Sequence, residues 1–296
     1  MALPYLKRQG TISKALMNEF YDDEFYNADP EDEVEEHSPD PREIEARADL
    51  RRLFEEDRER VVFSRQLEVQ FEHKYFHWIT NRAIRNLAFG EGLLRAETRS
   101  LPRAGSVTFY WHKRFRYYKR EANRIAQIID EYANPENSAA IGRYAELLVL
   151  EAFAKKEFVY KGKDVRAFNG LTWIETNHDL DYIFTRDSIT YGIEVKNMLG
   201  YMDQKELRVK IRLCQHLNIR PVFVVRMIPK SWMNELYEEG GFGLIYKAQL
   251  YPWTDKARVE HIARELGLPI IAPKSIEEGT MARFLRWHQK LCESQK

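Results

Sequence analysis

The chain has 296 residues, enough for two modest domains that each bury a core. Hydrophobic residues make up 44% and charged residues 31%, the profile of a globular protein, and no run of eighteen apolar residues is present to span a membrane as a helix. The formal net charge is zero, yet residues 1–60 hold 18 Asp and Glu against 9 Lys and Arg, while residues 61–296 hold 37 basic against 28 acidic residues. A basic body with an acidic end suits a polyanionic partner, because phosphate binding draws on Lys and Arg. The opening MALPYLKRQG lacks the apolar core of a signal peptide. Cys214 and Cys292 lie too far apart for a metal-binding pair, so reduced thiols and a cytoplasmic location are expected.

Residues 1–40 form an acidic segment. From Glu19 to Asp40 there is no Lys or Arg, and Pro30 and Pro39 interrupt it. A solvated tail that solubilises the chain or docks a protein partner is expected, with mimicry of nucleic acid over a basic surface as the alternative. From Pro41 a helix is predicted, with Ile44, Ala48 and Leu53 as its buried stripe. Val61–Phe63 reads as a short strand, and Ser64 as the cap of a helix in which Leu67, Val69 and Phe71 reach the core. Trp78, Ile79, Ala83, Ile84 and Leu87 recur at helical spacing, with Gly90 or Gly92 placed to end that helix. A hairpin follows: LLRAETR, the turn LPRAG, and the returning strand SVTFYWHKRF.

The order helix, strand, helix, helix, hairpin over residues 44–118 resembles a winged helix-turn-helix. The resemblance implies that Thr80, Asn81, Arg82 and Arg85 face DNA in the major groove while Arg103 sits on the wing. Next, Lys113, Arg114, Arg116, Lys119, Arg120 and Arg124 are interleaved with Trp111, Phe115, Tyr117 and Tyr118. That mixture suits a nucleic-acid backbone with stacked bases, or else a connector helix with a solvated charged face. Asn134, Pro135 and Asn137 mark a domain boundary, which divides the chain into 1–40, 41–133 and 134–296.

Beyond it, a helix capped by Asn137 or Ser138 is predicted, burying Ile141, Ala145, Leu148 and Ala152, with Glu146 at the edge of that stripe. Three strand-like runs follow, LTWIET, DLDYIFTR and TYGIEVKNM. By the period of two, Asp179, Asp181 and Ile183 share one strand face, and Glu194 and Lys196 share another. A short Asp187-Ser188 turn brings Asp181 level with the Glu194/Lys196 pair. Carboxylates that converge repel each other unless a cation lies between them, and a lysine beside that cation can hold or activate a water.

These pieces, GRYAE, DLDYIF and IEVKN within about fifty-five residues, resemble the PD-(D/E)XK nuclease superfamily of restriction enzymes, Holliday-junction resolvases and Mrr-like enzymes. The resemblance implies an α/β fold, a restriction endonuclease-like mixed sheet flanked by helices. It assigns Asp181, Glu194, Glu146 and the Val195 carbonyl as ligands for Mg²⁺, for which Mn²⁺ can substitute. Lys196 would orient or deprotonate the attacking water, and Gln204 would orient water or phosphate. The sequence departs from the pattern in having no proline before the first acidic residue, and Asp179 and Glu151 are alternatives to Asp181 and Glu146. The helix DQKELRVKIRLCQHL and the strand PVFVVRM continue the fold, with Arg226 and Lys230 placed to line a DNA rim. GGFGLIYKAQLYPW, ARVEHIARELGL, PIIAP and EGTMARFLRWHQKLCE read as strand–turn, helix, strand and helix. His216, His261 and His288 show no ligand-type spacing and are expected at the surface or satisfied in the core. The expected activity is hydrolysis of double-stranded or branched DNA, with a homodimer as the candidate assembly. A non-cleaving regulatory subunit and an RNA-directed nuclease within a larger complex are the alternatives.

Overall fold

In the computed structural model, which describes residues 40–133 and 135–294, Asp40 accepts a hydrogen bond from the Arg42 amide (2.9 Å) and Pro41 opens the first helix. The acidic segment before Asp40 lies outside the described residues. The chain forms two compact units, each with its own core: one of residues 40–140 and 257–269, the other of residues 141–256 and 270–294 among those described. Residues 257–269 thus group with the first unit, whereas the sequence put all of 134–296 together. No helix among the described residues is long and apolar enough to cross a membrane.

The first unit runs α1 (Pro41–Glu56), β1 (Val61–Phe63), α2 (Ser64–Gln70), α3 (His77–Arg85), a π-helical turn (Asn86–Gly90), β2 (Leu94–Leu101), β3 (Gly105–His112) and α4 (Tyr118–Tyr132). Its sheet is antiparallel in the order β1-β3-β2, with Val62 opposite Tyr110 and Thr98 opposite Thr108. The stripe of α1 is Ala46, Leu50 and Phe54, with Ile44 48% exposed, a phase different from the expected Ile44, Ala48 and Leu53. Ser64 is the first helical residue rather than the cap. Ile79, Ala83, Ile84 and Leu87 are buried as expected, while Trp78 is partly exposed and stacks on Phe76.

The second unit is mixed α/β. It runs α5 (Pro135–Lys155), β4 (Val159–Val165), β5 (Ala167–Phe168), β6 (Leu171–Thr172), β7 (Leu180–Arg186), β8 (Ile189–Lys196), α6 (Gln204–His216), β9 (Arg220–Val225), α7 (Lys230–Glu238), β10 (Phe242–Ile245), β11 (Gln249–Leu250), β12 (Ile270–Ile271) and α9 (Glu278–Ser294). In the chain α8 (Lys256–Leu266) precedes β12, and from residue 257 it belongs to the first unit. The sheet order is β10-β9-β8-β7-β4, with β4, β7 and β8 antiparallel and β8, β9 and β10 parallel. α5 begins earlier than its expected cap, and β4 is a strand that sequence reading passes over, because VYKGKDV is polar and lies at the sheet edge.

Helices cover both faces. On one, α5 (Leu148, Ala152, Phe153) and α9 (Met281, Phe284, Trp287) pack on Tyr182, Phe184, Tyr191, Ile193, Val222 and Val224. On the other, α6 (Leu213, Cys214) packs with Leu217 and Ile219 on Ile183 and Leu180. β9 is buried along its whole length, which is why RPVFVV is an almost continuous apolar run. Gly192 lies where α6 comes closest to the sheet. A Cβ there would meet Leu180 Cδ1, Cys214 Sγ and Ile219 Cδ1 at 2.7, 2.8 and 2.9 Å. Gly192→Ala is therefore expected to destabilise this unit by about 1–3 kcal/mol, read as a lower urea midpoint with an unchanged slope.

Candidate active site

The β7–β8 hairpin sets the geometry. Asp187 (φ 48°) and Ser188 (φ 62°) are both left-handed, the backbone of a two-residue turn whose twist matches the strands. The ladder runs from Arg186↔Ile189 to Tyr182↔Ile193, and one further step along it sets Asp181 opposite Glu194. Ile193 packs under α5 while Ile183 packs under α6, so Asp181 and Glu194 share the α6 face.

Glu194 is 2% exposed and both its oxygens are engaged. Lys196 Nζ lies 2.9 Å from Oε1, and Lys210 Nζ, from α6, lies 2.6 Å from Oε2. Lys196 also pairs with Glu206 Oε1 at 2.8 Å. Lys210 is itself buried and donates to the Asp179 carbonyl. Burial alone would lower the Lys196 pKa, but the carboxylates of Glu194 and Glu206 outweigh it and hold the ammonium well above the usual lysine range. Between two carboxylates Lys196 keeps its proton and acts as a donor.

Asp181 Oδ2 accepts the Val195 amide at 2.6 Å. Burial, followed by repulsion from Glu194, pushes its carboxyl up to about 7 despite that bond. The end of β8 is held in place: Tyr246 donates to the Lys196 carbonyl (2.6 Å), and Asn197 donates to the carbonyls of Leu250 (2.6 Å) and Ile141 (3.1 Å).

Glu146 of α5 lies beside this group, where its charge reaches Asp181, but it pairs with Lys163 of β4 at 2.9 Å. Glu151, its alternative, forms an exposed pair with Lys155 at 2.6 Å, away from the cluster. Asp179 precedes β7, and its carboxylate lies 3.9 Å from Lys210. Gln204 opens α6 but turns to α7, its amide oxygen set to accept from Arg208 (2.9 Å) and the Trp232 indole (3.2 Å). The α6 side chains that meet the cluster are Glu206, on Lys196, and Lys210, on Glu194. These two are four residues apart on one face of α6, a spacing that in sequence alone reads as a solvated ion pair.

In the first unit the expected DNA-facing residues separate. Thr80 is 1% exposed and belongs to the core, in a helix that packs against α1 and α2. Asn81 donates to Glu68 (2.9 Å), and Arg82 pairs with Asp40 (3.3 Å) and Glu43 (3.6 Å). Arg85 and Arg103 are exposed, as are Lys113, Arg114, Arg116, Lys119 and Arg120. Lys113, Arg114 and Arg116 lie in the loop between β3 and α4 rather than on a connector helix, beside a Tyr117 that is 82% exposed. Arg124 is tied to Glu121 and Glu265. Arg226 is buried and donates to the carbonyls of Met198 (3.2 Å) and Leu199 (2.6 Å), so it braces a loop and lines no rim; Lys230 heads α7. His216 and His261 are at the surface, and His288 is buried and hydrogen-bonded.

Comparison with protein-family models, with curated proteins and with solved structures found no match.

The shifted Asp181 carboxyl has a consequence for stability. Its pKa in the fold is about 7 against the ordinary 3.8, so the folded chain holds this proton more tightly than the unfolded chain. Without divalent cations, stability should fall as pH rises from about 4 to about 7 and stay low above that. Asp181→Asn is accordingly expected to exceed the parent by roughly 2–4 kcal/mol at pH 8 and to match it near pH 4, as measured by urea titration in chelator.

Proposed function

We propose that this chain is a metal-dependent nuclease of the PD-(D/E)XK type acting on DNA, with Asp181, Glu194 and Lys196 as its working residues. The observation that carries this reading is the convergence of Asp181 and Glu194 on one sheet face with Lys196 beside them. The succession of α5, β4, β7, β8, α6 and β9 around the sheet order β10-β9-β8-β7-β4 supports a restriction endonuclease-like core.

The donor set fits a hard cation. Glu194 offers a buried and Asp181 a partly buried carboxylate, whose mutual repulsion a cation would relieve. In a strand, N–H and C=O of one residue point to the same side, so the amide that Val195 gives to Asp181 puts its carbonyl on that side as well. Mg²⁺ or Mn²⁺ held there would polarise the phosphate and lower the pKa of a bound water.

The remaining chemistry belongs to the side chains. Lys196 donates to the attacking water or to a phosphate oxygen, placing positive charge where the pentavalent phosphate gains negative charge. Glu206 keeps Lys196 protonated and aimed. Lys210 anchors Glu194, which would otherwise be a buried carboxylate with one partner. Glu146 acts from the rim through its charge and by holding Lys163.

For DNA as substrate, the support is the helix–strand–helix–helix–hairpin order of the first unit, which resembles that of a winged helix, and the exposed Lys113, Arg114, Arg116, Lys119 and Arg120 around Tyr117. A second reading has its own observation. Both Glu194 oxygens already hold ammonium groups, which suits a charge-neutral strut in a non-cleaving DNA-binding subunit.

The two readings separate in a cleavage assay on plasmid and branched duplex DNA with Mg²⁺ or Mn²⁺. Cleavage is expected, abolished by chelator and reduced about 100-fold or more in Lys196→Ala. Parent protein that leaves these substrates as intact as Lys196→Ala does would sink the enzyme reading. Independently, replacing Lys113, Arg116 and Lys119 together by Ala should weaken DNA binding and lower the salt slope by about one for each phosphate no longer neutralised, as measured by fluorescence anisotropy. An unchanged slope would remove this loop from the interface.

A further inference from the structure

We infer that Asp187, His288 and Cys292 form a second metal site, built for a borderline-soft divalent ion such as Zn²⁺. It is independent of the carboxylates of Asp181 and Glu194. Asp187 follows the last residue of β7 and Asp181 stands near its first, which separates the two groups by about 20 Å along an extended strand.

Three observations converge. First, the donor atoms meet at one point: His288 Nε2 lies 2.9 Å from Asp187 Oδ2 and 3.7 Å from Cys292 Sγ, and all three ligand atoms fall within 4.8 Å of one another. Tetrahedral Zn²⁺ with Zn–N near 2.0–2.1 Å and Zn–S near 2.3 Å needs such donors about 3.3–3.6 Å apart. The two His288 distances therefore change by a few tenths of an ångström, and the Asp187–Cys292 separation closes by no more than about 1.2 Å as the exposed Asp187 turns. Secondly, His288 and Cys292 are four residues apart on α9, which sets both on one helix face a turn apart, the spacing by which helices present paired ligands. Thirdly, the other imidazole nitrogen is spoken for. His288 Nδ1 lies 2.6 Å from the hydroxyl of fully buried Tyr191, so an Nδ1–H donated to Tyr191 leaves Nε2 for the metal.

The chemistry selects the ion. Thiolate, imidazole and carboxylate together suit Zn²⁺ over Mg²⁺ or Ca²⁺, which take oxygen ligands. Three protein ligands leave a fourth position, and Asp187 is exposed and Cys292 half-buried, so an ion can enter from solvent. At the site's edge, Arg186 Nε lies 3.3 Å from Asp187 Oδ2. Its guanidinium is held by the Lys156 carbonyl (2.6 Å) and lies over the Phe158 ring, so it can stay in place while Asp187 turns its carboxylate. A bound ion would clamp the β7–β8 turn to α9.

The test uses the full chain, stripped with chelator and titrated with Co²⁺ and then Zn²⁺. One equivalent of Co²⁺ should give a near-ultraviolet thiolate-to-cobalt band that Zn²⁺ displaces. The band should persist in the double variant Asp181→Asn/Glu194→Gln and vanish in Cys292→Ser, whose metal-free melting temperature should match the parent. Tyr191→Phe should weaken Zn²⁺ binding about tenfold. Without any substitution, Zn²⁺ should protect Cys292 from iodoacetamide in the parent chain, with the fully buried Cys214 as internal reference. No thiolate band in the parent, a band that survives Cys292→Ser, or Cys292 alkylated equally fast with and without Zn²⁺ would each overturn the site.

Discussion

Glu194 is a carboxylate at the floor of the sheet, 2% exposed, and such a group survives burial only with its charge matched. Two ammonium groups match it, one from its own strand and one from α6. That requirement ties the neighbourhood together. Lys210 has to reach the sheet, so α6 packs where Gly192 lets it come close. Lys196 has to turn back along β8 and takes Glu206 as its second partner. Asp181, brought level with Glu194 by the ladder, pairs with no ammonium among the described residues, and burial together with repulsion from Glu194 raises its pKa.

The hairpin turn is the second constraint, since it decides what β7 and β8 place side by side. A slip of one residue in that ladder would turn Asp181 to the α5 face, among Phe184, Tyr191 and Phe153. The two left-handed residues of the turn prevent the slip. One of them, Asp187, also meets His288 and Cys292, so a single turn sets the carboxylates at one end of the hairpin and collects a different donor set at the other. The two sets differ in chemistry: oxygen only at the first; oxygen, nitrogen and sulfur at the second.

The first unit shows why residue type and exposure have to be read together. Asn81 and Arg82 have side chains suited to base edges, but Glu68, Asp40 and Glu43 already engage them. The basic residues around Tyr117 remain exposed because the chain leaves β3 in a loop before α4 begins. Stacking of Trp111 on Tyr118 across that loop (3.9 Å) holds its two ends together.

Much was legible in the residues alone. Period-two alternation in DLDYIFTR and TYGIEVKNM, with a two-residue turn between them, is enough to bring Asp181 near Glu194 and Lys196, since strand geometry leaves a side chain only two directions. Period 3.6 located the buried face of α5 at Ile141, Ala145, Leu148 and Ala152. Where a local pattern was shallow, the reading failed: α1 took another phase because its apolar residues are few among many charges, and polar β4 joins the sheet only because β7 offers it an edge. Distances between elements remote in sequence belonged to the tertiary structure. Nothing in the spacing of Glu206 and Lys210 distinguishes a solvated pair from one turned inward, because burial is decided by what packs across from a helix and not by the helix itself. For the same reason His288 and Cys292 look like neighbours on an ordinary helix until Asp187, a hundred residues earlier, is folded against them.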